Sequence, residues 1–287
     1  MAAPDPFDPQ SPETIRFERS DGEAEIVFRL QNGKTTLAKL FQRAPCRVLF
    51  PAETDDDPPE AVLVTTSGGI AGGDRLRLSV AVESGAAALV TSQAAEKVYR
   101  SLGPDAHCQV SLRVAADGWL EWLPQETILF QGARFERCIE ANLAATARLL
   151  ASEMIVFGRL ARGERFSNGL LLDRWRIYRD GRLAWTDALR LGEGSAAPEE
   201  NPGLGGARAL ATVIYAGPDA ADQLALARSL TGKARSRAGA TLANGTLLAR
   251  FLAEDPGVLR ADLAGYVAAL RHAAARLPAR PPRLWQS

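Results

Sequence analysis

The stretch Arg75-Leu-Arg-Leu-Ser-Val-Ala-Val-Glu83 alternates without a break. Leu76, Leu78, Val80 and Val82 share one face, while Arg75, Arg77 and Ser79 share the other. Successive side chains of a strand point to opposite sides, so a period of two describes a strand with one buried and one solvated face. Val110, Leu112 and Val114 repeat the pattern, and Phe135, Ile139 and Leu143 follow it less strictly. Between such runs lie Asn32-Gly33, Asp117-Gly118 and Asp180-Gly181, dipeptides that tolerate the positive φ of a two-residue hairpin turn. Counting outward pairs Phe28 with Leu37, Leu112 with Leu123, Tyr178 with Leu183 and Ile177 with Ala184. Each pairing brings apolar residues together on one face, as cross-strand packing requires. The expectation is a mostly β chain: a large two-layered, antiparallel or β-helix-like sheet structure, with a few helices in the C-terminal third.

Those helices have their own signals. Asp219–Leu230 carries Leu224, Leu226, Ala227 and Leu230 at mixed helical spacing. Asp255-Pro256 reads as an N-cap followed by a first-turn proline. Beyond it Leu259, Leu263, Tyr266, Val267 and Leu270 recur at three and four residues, predicting an amphipathic helix that ends near Leu277, before Pro278. Gly192–Gly206 reads as a long loop. Four prolines within the first dozen residues predict a disordered tail over residues 1–14, with residues 15–287 as a single domain.

Composition narrows the function classes. The 287 residues include 34 basic and 34 acidic side chains, so the net charge is zero and no global field favours nucleic acid or an anionic membrane. No apolar run approaches the roughly 20 residues that span a bilayer. The N-terminus lacks a basic segment followed by an apolar one, and three scattered cysteines make a poor disulfide framework, so the expected compartment is the cytoplasm.

Catalytic constellations are scarce. His107 and His272 are the only histidines. His107 adjoins Cys108, but neighbours in a strand face opposite ways, which weakens a joint metal site. No Gly-x-Ser-x-Gly or Cys-x-x-Cys occurs. Thr65-Thr-Ser-Gly-Gly-Ile-Ala-Gly-Gly-Asp74 is rich enough in glycine to cradle a phosphate, yet it matches no phosphate-binding motif and precedes a strand, so a glycine-rich bend is the simpler reading. Glu121 and Glu126 invite a β-rich carbohydrate hydrolase as an alternative function; that chemistry needs the two carboxyls roughly 5–10 Å apart in a cleft.

Taken in order, five segments resemble one family. They are Ser67-Gly-Gly-Ile-Ala-Gly-Gly-Asp74, Ala94-Ala-Glu-Lys-Val-Tyr-Arg-Ser101, Leu120-Glu-Trp-Leu-Pro-Gln-Glu-Thr-Ile128, Ser152-Glu-Met-Ile-Val-Phe-Gly-Arg159 with Gly163-Glu-Arg-Phe166, and the closing Arg283-Leu-Trp285. The series resembles the urease accessory protein UreD (UreH) family from about Arg16 to Trp285. Its motif positions here include Gly68, Gly69, Gly72, Gly73, Lys97, Tyr99, Arg100, Pro124 and Gln125.

The resemblance implies a scaffold and not an enzyme: a two-layered β structure that acts with UreF and UreG to deliver nickel to apo-urease, and passes the ion through an internal channel. It implies no tightly bound cofactor, only transient nickel. A conduit needs weak serial sites, because a closed cage would trap the ion. With so little histidine, carboxylates are the available groups, and within the motifs the candidates are Glu153, Glu164, Asp74 and Glu126. Glu153 stands out, since the apolar run Met154-Ile-Val-Phe157 follows it, and a carboxylate there must be paired, exposed or lining a wet cavity.

Overall fold

Alternating strands can pair side by side in a hairpin, or stack coil upon coil, and here both arrangements occur. The computed structural model describes residues 19–54, 56–192 and 203–286. In chain order the first strands are β1 (Asp21–Gln31), β2 (Lys34–Arg43), β3 (Cys46–Leu49), β4 (Glu60–Thr65), β5 (Arg75–Val82) and β6 (Ala87–Ser92). Then come β7 (Glu96–Val98), β8 (Ala106–Val114), β9 (Trp119–Leu123), β10 (Thr127–Leu129), β11 (Arg134–Leu143) and β12 (Arg148–Phe157). Next are β13 (Leu170–Arg179), β14 (Arg182–Gly192) and β15 (Ala209–Ala216), helix α1 (Leu224–Lys233), β16 (Arg237–Ala243), β17 (Thr246–Ala253) and helix α2 (Pro256–Ala275).

One sheet runs β14-β13-β11-β8-β5-β1-β2 and the other β16-β17-β15-β12-β9-β6-β4-β3. From β5 to β13 the chain visits the two sheets in turn, and each visit stacks parallel on the last. In the first sheet β1, β5, β8, β11 and β13 are parallel neighbours. In the second β4, β6, β9 and β12 are, and the short β7 and β10 stack beside them. The result is a solenoid-like wind whose open edges are closed by antiparallel strands.

Two of the three expected hairpins form. Asn32-Gly33 joins β1 to β2 and pairs Phe28 with Leu37; Asp180-Gly181 joins β13 to β14 and pairs Tyr178 with Leu183. A bulge there moves the partner of Ile177 from Ala184 to Trp185. The third is a correction. Asp117-Gly118 carries β8 of one sheet into β9 of the other, so Leu112 and Leu123 are not partners. Asp117 does take the positive φ of 58°. The turn chemistry is right but serves an arch: Leu112 is buried between the two sheets and Leu123 on the far face of the second sheet, under the helices, so burial of both does not require that they pair.

The inward residues of both sheets, among them Ile26, Val80, Leu112, Phe135, Ile139 and Leu149, form one core. Both helices pack on the far face of the second sheet, over Leu123, Val213 and Phe251. That sheet is therefore covered on both sides, which is why β9 is buried at every position and its sequence Trp-Leu-Glu-Trp-Leu shows no alternation. The Asp255 side chain accepts from Gly257 N at 2.7 Å and caps α2, and Leu259, Leu263, Tyr266, Val267 and Leu270 face inward as their spacing predicts. Helix α1 begins at Leu224, not at Asp219, and α2 ends at Ala275, just short of Leu277. Among the described residues no helix is long and apolar enough to cross a membrane. The expected tail at 1–14, and most of the expected loop at Gly192–Gly206, lie outside the described residues.

Candidate functional site: two cavities and a buried ion cluster

Parallel stacking with no register slip places residues from successive coils in rows. One inward row of the first sheet reads Gly22, Leu76, Cys108, Arg137, Asp173 and Leu189. Arg137 thus sits beside Asp173 on adjacent strands, and both point into the interior. Across the core stands Glu153 of β12. Arg137 is only 6% and Glu153 only 4% exposed.

The guanidinium joins these groups. Arg137 Nε and Nη2 each donate to an Asp173 carboxylate oxygen at 2.9 Å, a bidentate fork. Nη1 donates to Thr127 Oγ1 at 3.2 Å and lies 2.5 Å from Glu153 Oε2. Trp122 Nε1 donates to Glu153 Oε1 at 2.9 Å. Burial lifts the Glu153 carboxyl to about 7; Arg137 pulls it down, but Asp173 adds to the rise. Burial alone would lower the Arg137 guanidinium, yet Asp173 and Glu153 hold it above its ordinary value.

The cluster stands between two cavities. The first, of about 200 Å³, is lined by Cys46, Thr65, Glu96, Cys108, Trp122, Arg137 and Glu153, among others. Exposed Gly68, Gln93, Ala94 and Lys97 form its rim. The second, of about 170 Å³, is lined by Glu153, Asp173, Trp175, Asp187, Thr212 and Arg250. Asp187 of β14 and Arg250 of β17 form an ion pair there that ties the two sheets together. The first cavity lies toward the β3–β4 end of the stack and the second toward the β14–β17 end. Glu153 is a wall of both.

Ligand chemistry inside is weak. Burial raises the thiols of Cys46 to about 11 and Cys108 to about 12, so both are protonated and poor metal ligands. Burial also raises Glu96, although the Thr65 hydroxyl donates to it at 2.5 Å. Among the described residues no group of three or more His, Cys, Asp and Glu is placed to hold a metal ion.

The other sequence candidates are dispersed. Asp74 accepts from Ser20 N and Ala71 N, each at 2.8 Å, and so closes the glycine-rich loop. Glu164 accepts from Gln131 N at 2.9 Å and pairs with Arg159, whose hydrogen bond holds its carboxyl below the ordinary range. Glu126 pairs with Arg260 of α2 at 2.6 Å. Of the motif residues, Gly68, Gly69, Lys97, Pro124 and Gln125 line the first cavity. A Cβ on Gly69 would meet the Tyr99 ring at 2.5 Å, and the Tyr99 hydroxyl donates to Gly68 O at 2.8 Å. Gly72 packs on Ser101, Gly73 on Arg19 and Gly132 on Arg100, so these loops are locked together by close backbone approach. Gln125 Oε1 accepts from Arg260 Nη2 at 2.8 Å.

The two carboxylates of the hydrolase alternative do not converge. Glu121 is bidentate to Arg271 and Glu126 is bound to Arg260, eleven residues away on α2, about 16 Å along its axis. Neither lines the interior cavities.

Sequence reasoning found Glu153 and missed Arg137 and Asp173. A signal existed. In Phe135-Glu-Arg-Cys-Ile139 and Leu171-Leu-Asp-Arg-Trp175 a charge occupies a position whose period-two neighbours are apolar and inward. Buried charges of this kind must find partners.

Comparison with known proteins adds the family. The model of the UreD urease accessory protein family matches residues 20–286. A urease accessory protein UreD of Magnetococcus marinus is 40% identical over 270 residues, covering 92% of this chain and 93% of its own length. One from Xanthobacter autotrophicus is 42% identical over 285 residues, covering 98% of this chain and 96% of its own. A urease accessory protein UreD 2 of Methylorubrum populi is 46% identical over 260 residues, covering 89% and 85%.

Proposed function

The chain belongs to the UreD family of urease accessory proteins, and from that premise we propose that it is a non-catalytic urease maturation factor that delivers nickel to apo-urease together with UreF and UreG. The observation that carries the nickel path is the pair of interior cavities sharing Glu153 as a common wall. Nickel accepts oxygen ligands readily, and a carboxylate flanked by space for water offers a weak stopping point. Protonated Cys46 and Cys108 do not compete for the ion, which suits transit over storage. Cells of the protein's host would use it in the cytoplasm, where its three free cysteines stay reduced.

Reconstitution tests this reading. Apo-urease is activated with limiting nickel in the presence of UreF, UreG and either this chain or its Glu153→Gln variant. The expected result is co-purification of the chain with UreF and UreG, activation that depends on the chain, and at least a severalfold drop for Glu153→Gln. Full activation without the chain would sink the maturation role; full activation with Glu153→Gln would sink the conduit.

A further inference from the structure

A third hollow, of about 550 Å³, lies at the turn end of the stack, between the coil turns and the C-terminal end of α2. It shares no lining residue with the two interior cavities. Its size falls within the range of small-ligand pockets. We propose that it binds a small carboxylic acid with a compact apolar body, held by Arg148, Trp119 and Thr146. The proposal is independent of the nickel reading.

Three donors stand on its wall, supplied by neighbouring coils. Trp119 opens β9 and Arg148 opens β12, and the two are partners in register. Trp119 is only 7% exposed, and its Nε1 is buried with no hydrogen-bond partner among the described residues. Buried donors are nearly always paired, so an orphaned N–H on a residue that walls a hollow points to an acceptor the chain itself does not supply. Arg148 donates from Nη1 to Ala274 O at 3.1 Å, and its Nε lies 3.7 Å from Asp219. Its Nη2 makes no hydrogen bond among the described residues, and its side chain is 38% exposed. In the turn before β12 the Thr146 hydroxyl oxygen accepts from Asp117 N at 2.9 Å, which leaves its own proton to donate. Ala87, Pro218, Ala275 and Leu277 supply the apolar part of the wall.

The charge of the site selects the ligand. Asp219 is already engaged, since it accepts from the Tyr215 hydroxyl at 2.6 Å and faces Arg148 Nε. Asp117 stands exposed on the rim, where water screens it, yet its charge disfavours a dianion such as phosphate. The last carbonyls of α2 would also oppose an anion, but His272 O accepts from Arg276 N and Ala274 O from Arg148. One guanidinium with two neutral donors therefore suits a monoanion, and a planar carboxylate matches a guanidinium edge. One carboxylate oxygen takes Arg148 Nη2, and the other takes the Trp119 indole N–H and the Thr146 hydroxyl. The apolar body then displaces water from Pro218 and Leu277.

Titration of the nitrogen-15-labelled full-length chain with 3-phenylpropionate tests the site. The five tryptophans give five indole N–H resonances, and the one lost in Trp119→Phe is that of Trp119. The expected result is a saturable shift of the Trp119 resonance with 3-phenylpropionate, and none with 3-phenylpropanol, which has the same apolar body without the charge. Arg148→Gln is expected to weaken binding at least about tenfold, as loss of a charged hydrogen bond does. Ala275→Trp fills the hollow from the end of α2 without touching the donors, is expected to abolish binding, and serves if Arg148→Gln does not fold. No saturable shift of Trp119, equal binding of the alcohol, or unchanged binding by a folded Arg148→Gln or Ala275→Trp chain overturns the proposal.

Discussion

Arg271 of α2 grips Glu121 of β9 across 150 positions of sequence: Nε donates to Oε1 at 2.8 Å and Nη2 to Oε2 at 2.9 Å. Arg271 is 2% exposed, and its Nη2 also donates to Asp57 at 2.9 Å. The pair ties the covering helix to the centre of the second sheet.

Removing Glu121 takes away the bidentate partner of Arg271 but leaves it with Asp57 and the Pro278 carbonyl. Glu121→Ala is therefore expected to lower the unfolding free energy by about 2–3 kcal/mol, the cost of losing hydrogen bonds to a buried charged group. Glu121→Leu/Arg271→Met should recover much of that loss. Urea denaturation of both variants reads the difference. By contrast, Glu126 and Arg260 are partly solvated, and Glu126→Ala should cost only about 1 kcal/mol or less.

Glu153 makes stability depend on pH. Its carboxyl is raised to about 7 by burial, so the folded state holds a proton that the unfolded state has released above its ordinary value. Its contribution to stability is therefore full at low pH and is lost as pH rises toward 7. Glu153→Gln cannot lose it. Relative to wild type, the variant should gain about 2–3 kcal/mol between pH 5 and pH 8, because one extra bound proton is worth about 1.4 kcal/mol for each step of one in pH. Denaturation curves at the two pH values check the sign; an unchanged gap would show that Glu153 titrates normally.

Thiol reactivity should divide the cysteines. Cys46 and Cys108 are buried and their thiols raised, while Cys138 is only half-buried. Thiolate is the reactive form. A disulfide reagent at neutral pH should titrate Cys138 in the native chain, and all three cysteines only after denaturation. Rapid labelling of Cys108 in the native state would contradict the closed core.

The glycine loop should not tolerate a methyl group. Gly69 has a φ of 147° and its Cβ would strike the Tyr99 ring at 2.5 Å. Gly69→Ala is expected to cost about 1–3 kcal/mol through backbone strain and displacement of Tyr99. A thermal melt within a degree of wild type would show that the loop yields freely.

Local chemistry was open to reading from the sequence alone. Alternation from Leu76 to Val82, positive φ at Asn32 and Asp180, and the Asp255-Pro256 cap are settled by neighbours a few residues away. Those signals determined that the chain is mostly β with a capped helix near its end, and the ordered motifs determined its family. Tertiary structure decided the rest. Whether Asp117-Gly118 makes a hairpin or an arch depends on which sheet receives β9, and both outcomes bury the same Leu112 and Leu123. That Arg137 meets Asp173 depends on β11 stacking on β13 in register, and that Glu153 faces them depends on a second sheet closing over the first. Periodicity tells which side of a strand is buried. Only the stacking of distant coils tells which charges share the interior, and charges enclosed at low dielectric are bound to whichever partners the fold supplies.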